Sequence, residues 1–413
     1  MKRAYIFCCW LILLVGCSRK SENAADAFQL HELASPAGPA SNCSNLFVAD
    51  DGEIYLSWVE KRGEKHHALR YANYEAGKWS APQTIAEGQN WFVNWADFPS
   101  LAKFAGNAMA AHWLAKSGEG TYAYHVNIAL STDGGQKWSE AMVPHRDNTP
   151  TEHGFVSMLP WKEERLFVVW LDGRNFAKKT NGHAEEHDEN AEMTLRFAAM
   201  DKNGQLYDEA ILDARVCECC QTSAALTTNG AVVVYRDRSE TEIRDIGVVR
   251  YQNGSWTAPR LVHADNWEHH GCPVNGPAIA AQSNFVAVAW HTEAQDTPHV
   301  RIAFSNDEGA TFSRPLEVGD RDPMGRVDVI LLPDRTALVS WLEHTDNGGD
   351  IRLRRVRADG WRGQSFTLAE SSTKRASGFP RMVANDREIV FAWTHTDSNA
   401  TAVRTAVAKL TGD

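Results

Sequence analysis

Residues 276–315, GPAIAAQSNFVAVAWHTEAQDTPHVRIAFSNDEGATFSRP, decide the fold. Pro277–Ala281 is a short apolar run, closed by a polar turn at Gln282–Asn284. Phe285–Trp290 is a second apolar run, followed by a polar loop over His291–Pro298. His299–Ser305 reads as a third strand, Asp307-Glu308-Gly309 as a turn, and Thr311–Val318 as a fourth strand. Runs of five to seven apolar and β-branched residues separated by turn residues are the signature of strands. The inner runs hardly alternate, as expected of strands covered on both faces.

The unit recurs along the chain. The aromatic that closes the second strand reappears as Trp58, Trp113, Trp170, Tyr235, Trp290, Trp341 and Trp393, at spacings of 55, 57, 65, 55, 51 and 52 residues. Seven copies of about 55 residues, each with four strands, indicate a propeller rather than a solenoid. The expected fold is therefore all-β: a β-propeller of seven blades, each a four-stranded antiparallel sheet. A large β-sandwich gives no reason for the Trp register to repeat. The seventh copy runs out after its third strand, Ala402–Leu410. An N-terminal strand around Phe28, Leu30 and Leu33 is expected to supply the missing fourth and so remove the open edges of the ring.

The first residues read as a targeting segment. Lys2 and Arg3 precede an apolar run from Ala4 to Val15 that is too short to span a bilayer. Leu14-Val15-Gly16-Cys17 resembles a bacterial lipobox. This resemblance implies a signal peptide over 1–16, a lipid-carrying Cys17, a polar tether over 17–27 and a propeller over 28–413. The implied location is the cell envelope, with the membrane as partner through Cys17. Ser18 beside the lipid site points to the outer membrane in a Gram-negative host. The full chain carries a net charge of −11, and loss of Lys2 and Arg3 makes it two units more negative. That balance lacks the basic footprint of a nucleic-acid partner.

Ser131-Thr132-Asp133-Gly134-Gly135-Gln136-Lys137-Trp138 fits the pattern S-x-D-x-G-x-x-W. Ser305-Asn306-Asp307-Glu308-Gly309-Ala310-Thr311-Phe312 is a looser copy. The Asp carboxylate is suited to accept from nearby backbone N–H groups, and the Gly permits positive φ. On these motifs the chain resembles the sialidase-like Asp-box (BNR repeat) propellers. In that superfamily the box lies opposite the active site, so it speaks for the fold and not for the chemistry.

The resemblance implies a glycoside hydrolase of exo-α-sialidase type. Such a site needs three Arg on the sugar carboxylate, a carboxylic acid, and a Tyr nucleophile activated by Glu. Arg suits the carboxylate because its planar fork bonds both oxygens. Arg236 or Arg238, with Arg326 and Arg381, would supply the grip, Asp97 the acid and Glu242 the base partner. The sequence departs from the family in lacking an R-I-P triplet near the first blade, in showing no evident Tyr–Glu pair, and in having seven copies where the sialidases have six blades. A six-bladed ring is the alternative.

In a propeller, the loops entering the first strands and those joining strands two and three share one face. These loops carry Cys43, Cys217, Cys219, Cys220 and Cys272, together with most of the His. Cys217, Cys219, Cys220 and Cys272, with His153 and His270, form a candidate set for a soft or borderline ion such as copper or zinc. Disulfides are the competing use in an oxidising compartment, with Cys220–Cys272 across neighbouring blades as one pairing. Adjacent Cys219 and Cys220 would bond only with strain. A long acidic insertion after Trp170 holds His183 and His187 four residues apart. A third reading needs only the shaped face: a non-catalytic, lipid-tethered module that binds a glycan or a protein at the cell surface. A glycan or other small ligand is the partner expected at the axial face.

Overall fold

The computed structural model describes residues 29–177, 191–397 and 400–410. The segment expected to carry the signal peptide and Cys17, and the insertion residues His183 and His187, lie outside the described residues. Seven antiparallel sheets follow one another along the chain and form seven blades. The six-bladed alternative is thereby set aside.

The fifth blade shows how closely local pattern sets the elements. Its strands are Ala278–Gln282, Phe285–Thr292, His299–Ser305 and Leu316–Glu317. The fourth begins later than the pattern suggests, because Thr311 is held in the preceding turn by Asp307, whose Oδ1 accepts its N–H at 2.9 Å. The same turn occurs in the second blade. Asp133 Oδ1 accepts from the Lys137 N–H at 3.0 Å, and Ser131 Oγ accepts from the Gly135 N–H at 2.9 Å. Ser305 Oγ and the Gly309 N–H repeat that bond at 2.9 Å. Gly134, Gly135 and Gly309 all have φ between 75° and 85°, a conformation that costs glycine little.

Each repeated aromatic lies on the second strand of its blade and is 7 % exposed or less. Each one packs against the blade before it. Tyr235 joins the third blade's core, Trp290 the fourth's, and Trp341 the fifth's. Trp393 joins the sixth blade's core, and Trp58 of the first blade packs onto the seventh. Seven wedges in one sense close a ring. The residue opposite on the third strand is Arg in five blades: Arg70, Arg196, Arg301, Arg352 and Arg404. Cross-strand neighbours of this kind are the unit of sheet stabilisation. Tyr235 instead faces Gly247, where a Cβ would overlap its ring. Truncating one such wedge to Ala costs about 3–5 kcal/mol.

The seventh blade has three strands of its own, Arg381–Ala384, Glu388–Asp397 and Ala400–Lys409. Leu30–Leu33 pairs antiparallel with the last of them, Leu30 opposite Ala408 and Leu33 opposite Thr405. The two ends of the ring thus close on each other.

At the inner end of several first strands the chain bulges. Cys43, Phe155 and Arg326, each fifteen residues before its blade's aromatic, have φ of 52°, 52° and 53°, with a register shift beside each. A bulge re-aims a side chain. Here it occurs around one mouth of the axis.

Candidate functional site

A cavity of ≈ 170 Å³ lies on the axis. All seven blades line it, through Asn45, Asp97, Phe155, Thr222, Gly276, Val327 and Arg381 in chain order. Three groups of polar side chains lie at the loops and strand ends of the second to fifth blades, and Asp97 of one of them lines the cavity.

The first group is sulfur. Cys217 directly follows the last strand of the third blade, Leu206–Val216, and its N–H donates to the Arg236 carbonyl at 3.0 Å. This pins the Cys217–Cys220 turn to the end of the fourth blade's second strand. Cys217 Sγ lies 3.7 Å from Cys219 Sγ and 3.5 Å from Cys220 Sγ. Cys272, from the loop entering the fifth blade, meets Cys219. All four thiols are unbridged, and the sulfur beside Cys272 is Cys219 rather than Cys220. Cys217 and Cys220 are buried, Cys219 is half-buried and Cys272 exposed, so the group opens to solvent on one side.

Arg244 Nη1 donates to Cys217 Sγ at 3.0 Å and to Glu218 at 2.9 Å, and Arg244 Nη2 donates to Glu242 at 2.9 Å. Burial opposes ionisation of Cys217, but its contacts with Cys219 and Cys220 and the Arg244 guanidinium outweigh burial. They hold this thiol well below the ordinary range. Cys219 is pushed up by its thiol neighbours, and Cys220 by burial. Contact with Cys219 lowers Cys272. Ionisation is thus favoured at Cys217 and Cys272 and opposed at Cys219 and Cys220, and thiolate is the form that binds soft ions.

The arginines expected to grip a carboxylate do not converge. Arg236 is 1 % exposed. It donates to the carbonyls of Asn275 at 2.8 and 2.7 Å, Arg244 at 2.5 Å and His291 at 2.7 Å, with its fork over Trp267. Arg326 bonds Ser377 Oγ at 2.7 Å and the carbonyls of Gly378, Lys374 and Thr373, over Trp95. Both guanidiniums are spent on backbone that joins neighbouring blades. Arg238 and Glu242 pair with each other at 2.8 Å, and this pairing holds Glu242 below the usual carboxylate range. A carboxylate clamped by two Arg is a poor base. Of the four arginines only Arg381 lines the cavity, 3.5 Å from Asp328.

The second group is acidic and contains a pairing the sequence did not reveal. Tyr124 OH donates to Glu152 Oε1 at 2.6 Å and lies 3.4 Å from Asp97 Oδ2. Asp97 Oδ1 accepts from the Phe155 N–H at 2.8 Å. Gly154 allows this approach, since a Cβ there would overlap Asp97 and the Tyr124 ring. Burial pushes Asp97 up to about 7 and Glu152 up to about 8, the latter helped by the charge of Asp97. The hydroxyl is buried with its ring stacked on Phe92 at 4.1 Å. Asp97 was legible as an entry-loop carboxylate. Tyr124 opens a third strand and Glu152 ends an entry loop, so the same sorting by face would have found both.

The third group holds His153. It stands away from the sulfurs with His125, His145 and Asp147. His270 is also apart from the sulfurs: its Nε2 lies 3.0 Å from Glu268 and its side chain is 72 % exposed. The expected set is thus reduced to its four cysteines. Cys43, whose thiol burial pushes up to about 12 with help from Asp97, contacts the Asn94 carbonyl at 3.4 Å and stays apart from them.

The fold and its mouth define a seven-bladed β-propeller whose axial face carries cysteine, carboxyl and imidazole groups. No family model matches the chain, and no curated protein matches it. Among solved structures it is similar to a protein of unknown function from Dyadobacter fermentans, at 12 % identity over 92 % of this chain and 98 % of that one, with a TM-score of 0.51. It is also similar to the NanB sialidase from Streptococcus pneumoniae, at 9 % identity over 92 % and 94 %, TM-score 0.48. The GH93 α-L-arabinofuranosidase of Fusarium graminearum is similar at 12 % identity over 90 % and 93 %, TM-score 0.47. At such identity the likeness concerns the fold alone.

Proposed function

We propose that this protein binds a soft metal ion, copper(I) or zinc, at the mouth of its propeller, and does so at the cell envelope on a lipid anchor at Cys17. One observation carries the metal site: three unbridged sulfurs lie within 4.8 Å of one another and a fourth joins them from the next blade. Thiolate sets of this kind suit copper(I) and zinc. Arg244, which donates to Cys217, offsets negative charge that such a set gathers. The ion enters from the side of Cys272, the exposed member.

The test is anaerobic titration of the reduced full chain with copper(I) against a chromophoric competitor, and with zinc. One equivalent bound, and lost in Cys217→Ser and Cys220→Ser, supports the site. A folded, reduced chain that binds neither ion sinks it.

A second reading is favoured by Tyr124, Glu152 and Asp97. A glycoside hydrolase of sialidase type uses a Tyr, a Glu and an acid, and a glycan would be the ligand of the axial cavity. The spent forks of Arg236 and Arg326 weigh against an acidic sugar in particular. Release of a chromophore from aryl glycosides, abolished in Tyr124→Phe, tests this reading. A non-catalytic glycan-binding module is what remains if neither ion nor turnover is found.

A further inference from the structure

The same face carries ligand-type side chains that neither reading uses. They lie between the second and third blades. His125 follows Tyr124 at the start of Tyr124–Ser131, and His145 and Asp147 lie in the connection after that strand. His153 opens His153–Trp161, and Asp172 closes Arg165–Asp172. Successive residues on a strand face opposite sides, so Tyr124 joins the acidic group and His125 does not. One nitrogen each of His125, His145 and His153 lie within 4.8 Å of one another. Asp147, His153 and Asp172 form an overlapping group within the same distance. His145 is 4 % exposed and His153 0 %.

The hydrogen bonds fix which nitrogen is available. His145 Nδ1 faces Asp147 Oδ1 at 3.0 Å, His153 Nδ1 faces the Thr151 carbonyl at 3.0 Å, and His125 Nε2 faces the Thr149 carbonyl at 3.0 Å. Carbonyl and carboxylate oxygens only accept, so the nitrogen facing each carries the hydrogen. The lone pair of the neutral ring is then on the other nitrogen. Among the described residues, Nε2 of His145 and Nε2 of His153 are buried without a hydrogen-bond partner. His153 Nε2 also stands 3.2 Å from Asp147 Oδ2 and 3.7 Å from Asp172 Oδ1. Acceptors gathered in this way repel unless a cation or a proton lies among them. An imidazole whose far N–H is held by a carbonyl or carboxylate is the arrangement that orients a metal-ligating histidine. It occurs here three times.

We propose that His125, His145 and His153 hold a divalent ion of the zinc class at a site separate from the cysteines, with Asp147 holding the far N–H of His145. Imidazole donors suit such an ion. The local charges leave room for it. Arg174 is bound through Nε and Nη2 to Asp172, each at 2.7 Å, and Arg196 Nε lies 3.7 Å from the same carboxylate. Asp172 is thereby neutralised. Asp147, 3.5 Å from Arg174 Nη2, keeps its closer contacts with His145, His153 and Thr149. The rings of His145 and His153 stack at 3.7 Å, 3° from parallel, so capture of an ion by both Nε2 atoms splays them.

The test uses the full chain with Cys217, Cys219, Cys220 and Cys272 all changed to Ser, titrated with cobalt(II) and zinc. The expected result is one equivalent of cobalt with weak visible bands and no intense near-ultraviolet thiolate band, displaced by zinc. His145→Ala and His125→Gln in that background each weaken binding by at least about 10-fold. If the four-serine chain does not fold, the wild-type chain loaded with copper(I) takes its place, since copper fills the sulfurs and leaves cobalt to report on nitrogen. A folded chain that binds neither cobalt nor zinc overturns the proposal and assigns the balance of charge to a proton on His153 Nε2. So does cobalt binding that both histidine substitutions leave unchanged. In the four-serine chain, failure of the cysteine site has no bearing on either outcome.

Discussion

Two sectors of one mouth solve the same problem in opposite ways. Where the third blade passes into the fourth and fifth, Cys217, Cys219, Cys220 and Cys272 gather soft sulfur, and Arg244 donates to Cys217. Where the second blade passes into the third, His125, His145 and His153 gather nitrogen, and Asp147 and Asp172 face it with negative charge. The first sector stabilises anions with buried guanidinium. The second presents acceptors to acceptors. The backbone is the same repeat in both, so the difference lies in the side chains that the strand ends and loops present. A propeller mouth can therefore hold distinct chemistries side by side without any change of architecture.

The largest expected effect tests that division. Replacing all four cysteines by Ser is expected to weaken copper(I) binding by at least about 100-fold, with cobalt binding at the histidines unchanged. His145→Ala is expected to do the reverse. Isothermal and spectroscopic titrations of the two variants compare them directly. A single substitution that abolished both would mean one site rather than two.

The next concerns arginines. Arg236→Ala leaves three buried carbonyls without a donor and is expected to destabilise the chain by about 3 kcal/mol. Arg381→Ala, with a partly exposed side chain, is expected to cost under about 1 kcal/mol. Urea unfolding measures both. Equal losses would mean that Arg236 is not the tie between blades that its hydrogen bonds describe.

Arg244→Gln removes the charge beside Cys217 and keeps a polar side chain of similar reach. The Cys217 thiol is then expected to ionise at higher pH, read from thiolate absorbance, and copper affinity to fall about 10-fold. An unchanged titration would leave the low Cys217 ionisation without its cation.

The smallest effect is in pH dependence. Glu152 holds its proton up to about 8 when folded, against 4.5 for the free side chain. Between those values the folded state binds more protons than the unfolded, so this group's contribution falls as pH rises. Burial of His145 lowers it from 6.5 to about 4, which has the opposite sign: stability is lost as pH falls through that window. Comparing wild type with Glu152→Gln cancels the histidines. Wild type is expected to lose melting temperature relative to the variant as pH rises from 4.5 to 8. Parallel curves would show that Glu152 is ionised throughout.

Much of the fold was legible because it repeats. Trp58, Trp113, Trp170, Tyr235, Trp290, Trp341 and Trp393 report one position seven times, and a wedge between blades demands a large ring at each. Leu30 and Leu33 could be placed in the last blade because a ring has no place for an open edge. Less of the mouth was legible. Cys217, Cys219, Cys220 and Cys272 could be placed near one another because three are nearly adjacent and the fourth enters the next blade. His153 was grouped with the wrong partners, since a loop's face can be read from the repeat but its turn toward one neighbour or the other cannot. Arg236 and Arg326 looked like ligand-binding residues because their sequence context does not show which carbonyls stand within reach.

The sequence by itself determined the ring, its seven blades and which loops share a face. Strand period, turn residues and a repeated aromatic act over a few residues, and their effects recur. Only the tertiary structure decided what each polar group at the mouth meets. Arg236 and Arg244 stand eight residues apart in one blade, yet one is spent on backbone and the other donates to the sulfur of Cys217. That outcome depends on atoms brought together across blades, at distances of about 3 Å that no local pattern encodes.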